Sequence, residues 1–215
     1  MISDSQINEA SSLEAISELV GNCTRCGLFK NAKNPVPGDG NSKAEIVFIG
    51  EGPGEKEDLQ GKPFVGAAGK FLTEMLEENG YRREDIYIAN VVKHRPPANR
   101  DPLPEEVEAC FSYLKKQIEI INPKVIVFLG RHSLNRFFPD MKISQAHGKA
   151  FRKEVEWLGK RQVFFALYHP AAALHNGSMR EVLKSDFAKL PKLLEKINEE
   201  TITNTKENLN QPGLF

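Results

Sequence analysis

Cys23 and Cys26 form a C-x-x-C pair, and the chain's remaining cysteine, Cys110, lies far downstream. Thiolates at this spacing sit on one side of a turn, as a metal ion or an iron–sulfur cluster requires. Such centres normally take four ligands, and the chain has no fourth cysteine. A histidine can fill the last position, and His94, in Val92-Lys93-His94-Arg95-Pro96, is the candidate. A redox pair and two buried thiols are the competing readings of the same spacing.

A second set of chemically able residues is spread over four segments. Gly50-Glu51-Gly52-Pro53-Gly54 is followed by Glu57-Asp58 and by Gly61-Lys62-Pro63-Phe64-Val65-Gly66. Asn90 precedes His94-Arg95-Pro96-Pro97, and the other two segments are Gly130-Arg131-His132-Ser133 and Tyr168-His169-Pro170-Ala171. The first segment is no phosphate-binding P-loop: it lacks G-x-x-x-x-G-K-[ST], and Glu51 and Asp58 would repel phosphates. Glycines at 50, 52 and 54 let the backbone approach a flat ligand, and Phe64 offers a stacking face. Asn90 carries a donor and an acceptor on one plane, which suits the edge of a nucleobase or an amide. His169 can donate to a developing oxyanion. Taken singly, Phe64 reads more readily as core, Asn90 as a strand-end cap and Glu51 as a surface acid; it is their meeting at one rim that favours a site.

The elements that must position these residues are legible from hydrophobic patterning. Residues 45–49, 86–92, 124–129 and 162–167 are β-branched or aromatic runs, nearly continuous in apolar character. Runs of this kind suit strands buried on both faces of a parallel sheet. Residues 69–79 place Phe71, Leu72, Met75 and Leu76 on one helical face ahead of Gly80. Residues 104–121 open Pro-Glu-Glu, a good helix start, and continue with Val107, Cys110, Phe111, Leu114 and Ile118. The alternation predicts a three-layer α/β/α domain around four parallel strands. In open sheets of this type ligands bind beyond the carboxyl ends of the strands. Each of the four segments above follows one predicted strand, so together they form the rim of one site.

With 215 residues, 40% hydrophobic and 27% charged, the chain fits one globular domain, expected over residues 1–197. From about Asn198 it turns polar and aperiodic, which predicts a flexible tail over 198–215. No run approaches membrane-spanning length and the start is not that of a signal peptide, so the cytoplasm is expected, with no membrane partner. An odd number of thiols argues against a disulfide framework. Net charge is zero, yet residues 130–180 hold nine Lys/Arg against three acids, a local footprint for phosphates.

GEGPGEKEDLQGKPFVGAAG, NVVKHRPPANRDPLPEEVEAC, PKVIVFLGR and YHPAA resemble the signature blocks of the family 4, iron–sulfur, uracil-DNA glycosylases. The resemblance runs from about Cys23 to Leu190. It implies a four-stranded parallel sheet between helices, with single- or double-stranded uracil-containing DNA bound across the strand mouths by a monomer. It also implies that Phe64 stacks on a flipped uracil, Asn90 reads its O4/N3 edge, and His169 bonds O2 as the base departs. Gly50 and Gly52 line the pocket in that comparison. Glu51 and Asp58 match the family's acidic positions, one orienting water or stabilising the sugar cation, with Glu51 crowding C5 against thymine. The family's cluster positions fall on Cys23, Cys26, His94 and Cys110, implying a [4Fe-4S] cluster with [3Fe-4S] or zinc as alternatives.

His94 departs from the cysteine usual in family 4 and is similar to UdgX-type proteins, which bind uracil-DNA tightly or covalently without turnover. The chain lacks their inserted histidine loop, since residues 95–109 contain no histidine, and it reads GEGPG where they read GEQPG. A turnover enzyme is therefore expected. A DNA-damage sensor and a metal-stabilised α/β hydrolase are the rivals, the latter weakened by the absence of G-x-S-x-G. The last residues, Gln211-Pro-Gly-Leu-Phe215, resemble the Q-x-x-L-F peptide by which bacterial repair proteins bind the sliding clamp, with Gln211, Leu214 and Phe215 as the contacts.

Overall fold

A computed structural model describes residues 2–174 and 176–209, the last nine as backbone only. Its strands are β1 (Asp39–Gly40), β2 (Ile46–Gly50), β3 (Tyr87–Asn90), β4 (Val125–Leu129), β5 (Lys149–Val155) and β6 (Lys160–Leu167). They form one sheet in the order β1-β3-β2-β4-β6-β5. The four apolar runs are β2, β3, β4 and β6, and they pair in parallel. β1 and β5 add to the two edges antiparallel. The sheet is thus six-stranded and mixed, which corrects the expected four-stranded parallel sheet. β5 carries Lys149, Arg152, Lys153 and Glu154 and is largely exposed. Such charge keeps an edge strand from pairing with other chains and removes the apolar signal that marks interior strands.

The helices are α1 (Asp4–Glu9), α2 (Leu13–Gly21), α3 (Glu55–Gln60), α4 (Ala67–Glu78), α5 (Pro104–Ile121), α6 (Arg131–Phe137), α7 (Ile143–Ala146), α8 (Gly177–Phe187) and α9 (Leu190–Leu209). Strand alternation divides the core into two layers. On one face Val47, Ile49, Ala89, Ile126, Phe128 and Phe164 pack with Phe111, Leu114 and Ile118 of α5 and with Leu134 and Phe137 of α6. On the other, Ile46, Phe48, Ile88, Val127 and Phe165 pack with Phe71, Leu72, Met75 and Leu76 of α4, with Phe187 of α8 and with Leu194 of α9. Outside α5, α1 and α2 contribute Ile7, Ile16 and Val20 to a third cluster that includes Tyr113 and Cys23. Packing of α2 on α5 brings the C-x-x-C segment towards Cys110.

α9 continues through residue 198 to Leu209, where the polar composition predicts a flexible tail. Leu190, Leu194 and Ile197 bury one face of the helix. Asn198 accepts a hydrogen bond from Lys124 at 2.6 Å and Glu200 pairs with Arg152, so sheet-side cations hold a stretch without apolar periodicity. Gln211, Leu214 and Phe215 lie outside the described residues. No helix among the described residues is long and apolar enough to cross a membrane.

Candidate active site

Because β2, β3, β4 and β6 run parallel, the segments that follow them meet at one edge of the sheet. Glu51, Phe64, Asn90, Pro96, His169 and Leu174 line a cavity of about 420 Å³ there. Asn90 closes β3 and is 2% exposed, and its Oδ1 is buried without a hydrogen-bond partner. It pairs in register with Gly50, and the next two amides, of Val91 and Val92, donate to the carbonyls of Gly50 and Glu51 at 3.0 and 3.1 Å. A Cβ at Gly50 would lie 2.7 Å from the Phe64 ring and closer still to Asn90 Oδ1. Glycine at this position is what opens the slot between ring and amide. Gly52 also borders the cavity, and a Cβ there would meet Val92 at 2.7 Å.

Phe64 holds a left-handed backbone conformation (φ 51°) that a side-chain-bearing residue adopts at a cost of about 1–3 kcal/mol. Surrounding groups impose it. Glu57 Oε1 accepts from the amides of Val65 and Gly66 at 2.9 and 2.8 Å. The Arg83 guanidinium donates to the Phe64 carbonyl at 2.8 Å and also to the Pro63 carbonyl. Any side chain at Gly69 would run into the Phe64 carbonyl, so α4 can close on the loop only with glycine there. The ring ends 5.6 Å from that of His169.

His169 Nδ1 accepts from the amide of Ala171 at 3.2 Å, which puts the imidazole proton on Nε2. Burial lowers its pKa to about 4, His132 pushing the same way and Glu57 opposing. The ring is a neutral donor above that value. Glu51 is shifted in the other direction, to about 7, by burial and by the neighbouring Asp101 carboxylate against a smaller opposing effect of Arg131. Glu51 Oε2 lies 3.6 Å from His132 Nε2, which is 3.3 Å from Asp101 Oδ1. Among the described residues these three form the group whose ligand atoms all lie within 4.8 Å of one another. Arg131 bonds both His132 (2.9 Å) and Asp101 (2.7 Å), so the group is an ion-pair network with a cation of its own.

Asp58, expected beside Glu51, is elsewhere. It is buried on α3, where its Oδ1 accepts from the amides of Lys33 and Asn34 at 2.8 and 3.2 Å, and it does not line the cavity. Its neighbour Glu57 occupies the place on the cavity wall. Adjacent residues on a helix differ by about 100° in direction, and a six-residue helix with no apolar stripe hides its phase from the sequence. Glu57 and His132 lie in strand-mouth segments that the sequence picks out, without a role for either, whereas Arg83 and Asp101 are isolated charges that no spacing marks.

Of the expected metal ligands, Cys23, His94 and Cys110 are buried and Cys26 is half-buried, and among the described residues no three of them bring their ligand atoms within 4.8 Å of one another. The Cys26 and Cys110 thiols are hydrogen-bonded to each other, which holds Cys26 down to about 6 and, with burial, pushes Cys110 up. Cys23 is buried beside the Tyr113 hydroxyl, which has no oxygen or nitrogen partner. His94 is buried, one residue beyond the fully buried Lys93. Burial lowers the His94 pKa, and the carboxylate opposing that shift is Asp58. Three soft thiol donors, an imidazole and an unpaired hydroxyl donor fit an iron–sulfur or zinc centre, the hydroxyl being placed to bond a thiolate ligand.

Replacing Arg83 with Met leaves the Pro63 and Phe64 carbonyls without their donor. The variant is expected to lose about 2 kcal/mol of stability. Urea unfolding would show this as a lower midpoint at unchanged slope.

Residues 37–201 match the family model of the Uracil DNA glycosylase superfamily. The type-4 uracil-DNA glycosylase of Archaeoglobus fulgidus is 53% identical over 190 residues, covering 86% of this chain and 94% of that protein. The type-4 enzyme of Saccharolobus solfataricus is 50% identical, covering 85% of this chain and 86% of that protein. That of Thermotoga maritima is 48% identical, covering 86% and 95% respectively. The chain belongs to the uracil DNA glycosylase superfamily, within its type-4 uracil-DNA glycosylases.

Proposed function

We propose that this chain takes a uracil nucleotide flipped out of DNA into the cavity at the strand mouths and hydrolyses its N-glycosidic bond, leaving an abasic site. The observation that carries the reading is the convergence of three groups on one base-sized slot: the Phe64 face, the unpartnered amide of Asn90 and the Nε2–H of His169. Flipping costs about a few kcal/mol of stacking and pairing, which stacking on Phe64 offsets in part. Asn90 Oδ1 accepts from uracil N3–H while its Nδ2 donates to O4. Cytosine presents the opposite donor and acceptor pattern there, so the same amide disfavours it. As the C1′–N1 bond breaks, its electron pair moves onto the base and charge grows at O2, where neutral His169 donates. Glu51, as carboxylate, stabilises the sugar cation and accepts the proton of the water that attacks C1′. Asp58 has no part in these steps. The basic stretch over residues 130–180 supplies charge for DNA phosphates.

The other reading, a covalent bond to the abasic sugar, would find its nucleophile in His132, the histidine beside Glu51. Its Nε2 already accepts from Arg131, which leaves no free lone pair on that atom. We propose also that Cys23, Cys26, His94 and Cys110 hold an iron–sulfur cluster. When bound, that cluster ties the segments flanking the pocket together and takes no part in glycosidic chemistry.

Incubation with a uracil oligonucleotide followed by alkali should cut the strand at the uracil, with no DNA-shifted protein band on a denaturing gel. A stable shifted band would replace turnover by the covalent reading. Because the Glu51 pKa is raised, its ionised form is lost as pH falls through about 7. The single-turnover rate should therefore climb roughly tenfold per unit from pH 5 towards 7 and level off above. Glu51→Gln should abolish that rise and slow the plateau by about 10²-fold or more.

Metal analysis and visible absorption should find iron with sulfide in the purified protein, and His94→Ala should lower its content or convert its spectrum. Zinc without absorption would replace the cluster by a Cys3His site, and unchanged iron in His94→Ala would remove His94 from the ligand set.

A further inference from the structure

Lys93 is fully buried on the stretch joining Asn90 to His94. Its ammonium donates to the backbone carbonyl of Asn90 at 2.9 Å and to Oε1 of Gln117 on α5 at 2.7 Å. Gln117 is itself fixed, its Nε2 donating to the Pro37 carbonyl at 2.8 Å and to the Tyr87 hydroxyl at 3.0 Å. The Lys93 carbonyl accepts from the amide of Val36 at 2.7 Å. Both oxygens that hold the ammonium are neutral. Burying a charge costs several kcal/mol, and a long apolar side chain would fill the same space without that cost. What only the ammonium supplies is a grip on the Asn90 carbonyl from the helix layer.

We propose that Lys93 is a positioning residue for uracil excision, setting the plane of the Asn90 amide by holding its backbone carbonyl against α5. The proposal rests on the reading of Asn90 as the group that meets the base edge. β3 ends at Asn90, so strand pairing fixes this residue from one side, through Gly50, and Lys93 fixes it from the other. Release of the carbonyl lets the peptide plane rotate, and the amide follows. Through Gln117 the same residue ties Asn90 to α5, the helix that carries Cys110.

The test is a double-mutant cycle on the full-length, metal-loaded protein, read as single-turnover rate and uracil-DNA affinity. Asn90→Ala alone must slow excision; if it does not, the reading of Asn90 itself falls, and the proposal with it. Lys93→Met should slow excision by roughly ten- to a hundredfold while DNA affinity changes little. In the Asn90→Ala background, Lys93→Met should then add nothing further. Equal losses in both backgrounds, or an unimpaired Lys93→Met, overturn the proposal. A loss that tracks reduced iron content or a fall in melting temperature overturns it as well. Should Lys93→Met fail to fold, Lys93→Met/Gln117→Leu/Tyr87→Phe takes its place in the cycle, since it removes the Lys93 donor, its Gln117 acceptor and the Tyr87 hydroxyl together.

Discussion

Beyond the last paired residues of β2 and β3, the amides of Val91 and Val92 still donate to the carbonyls of Gly50 and Glu51. This extension of the parallel ladder sets the spacing between the amide of Asn90 and the carboxyl of Glu51, which are thirty-nine residues apart in sequence. Parallel pairing makes both strands end at the same edge. The register Gly50↔Asn90 then places a residue without Cβ directly opposite the amide. A slip of one residue would turn Asn90 into a helix layer and close the slot with a side chain. The cavity is therefore a consequence of strand register, and the loops that complete it are fitted around that register. Phe64 is the clearest case, since its strained conformation is maintained by Glu57, Arg83 and the bare backbone of Gly69.

Burial acts on the two ionisable groups of this rim in opposite chemical senses. Low-dielectric surroundings disfavour charge on either. His169 thereby becomes a neutral donor across the neutral range, and Glu51 becomes a weak acid that ionises near pH 7. One physical cause thus yields a donor that suits a departing base and a carboxylate basic enough to take a proton from water. Asp101 sharpens the second shift by repulsion, and Arg131 keeps it from going further.

The interior strands were legible because each is an apolar run with no competing reading, and the strand-mouth rule then gathered Glu51, Phe64, Asn90 and His169. The edge strand β5 was hidden by its own charges, and α9 by the polar residues that follow its buried face. The exchange of Asp58 for Glu57 shows a different limit. Composition locates an acid to within a turn, whereas its direction depends on helix phase, which α3 takes from capping by Gly54 and Gly61 and from its neighbours. His132 and Asp101 came together only through the fold, since no spacing in the chain relates them. Asp58 is used instead to hold the amides of Lys33 and Asn34.

α5 is where these routes meet. Cys110, Tyr113 and Gln117 follow one another at helical spacing along a single side of it, facing the thiols and Lys93. At its start, buried Glu106 takes two hydrogen bonds from Arg100, a residue of the cavity rim, and a third from the Leu103 amide. The helix thus bears on the pocket twice, through Arg100 at the rim and through Lys93 behind Asn90. A centre bound at Cys110 would stiffen this helix rather than touch the base. In the proposed reaction the proton and charge shifts fall to a carboxylate and an imidazole, and a centre at Cys110 would act on them only through this helix.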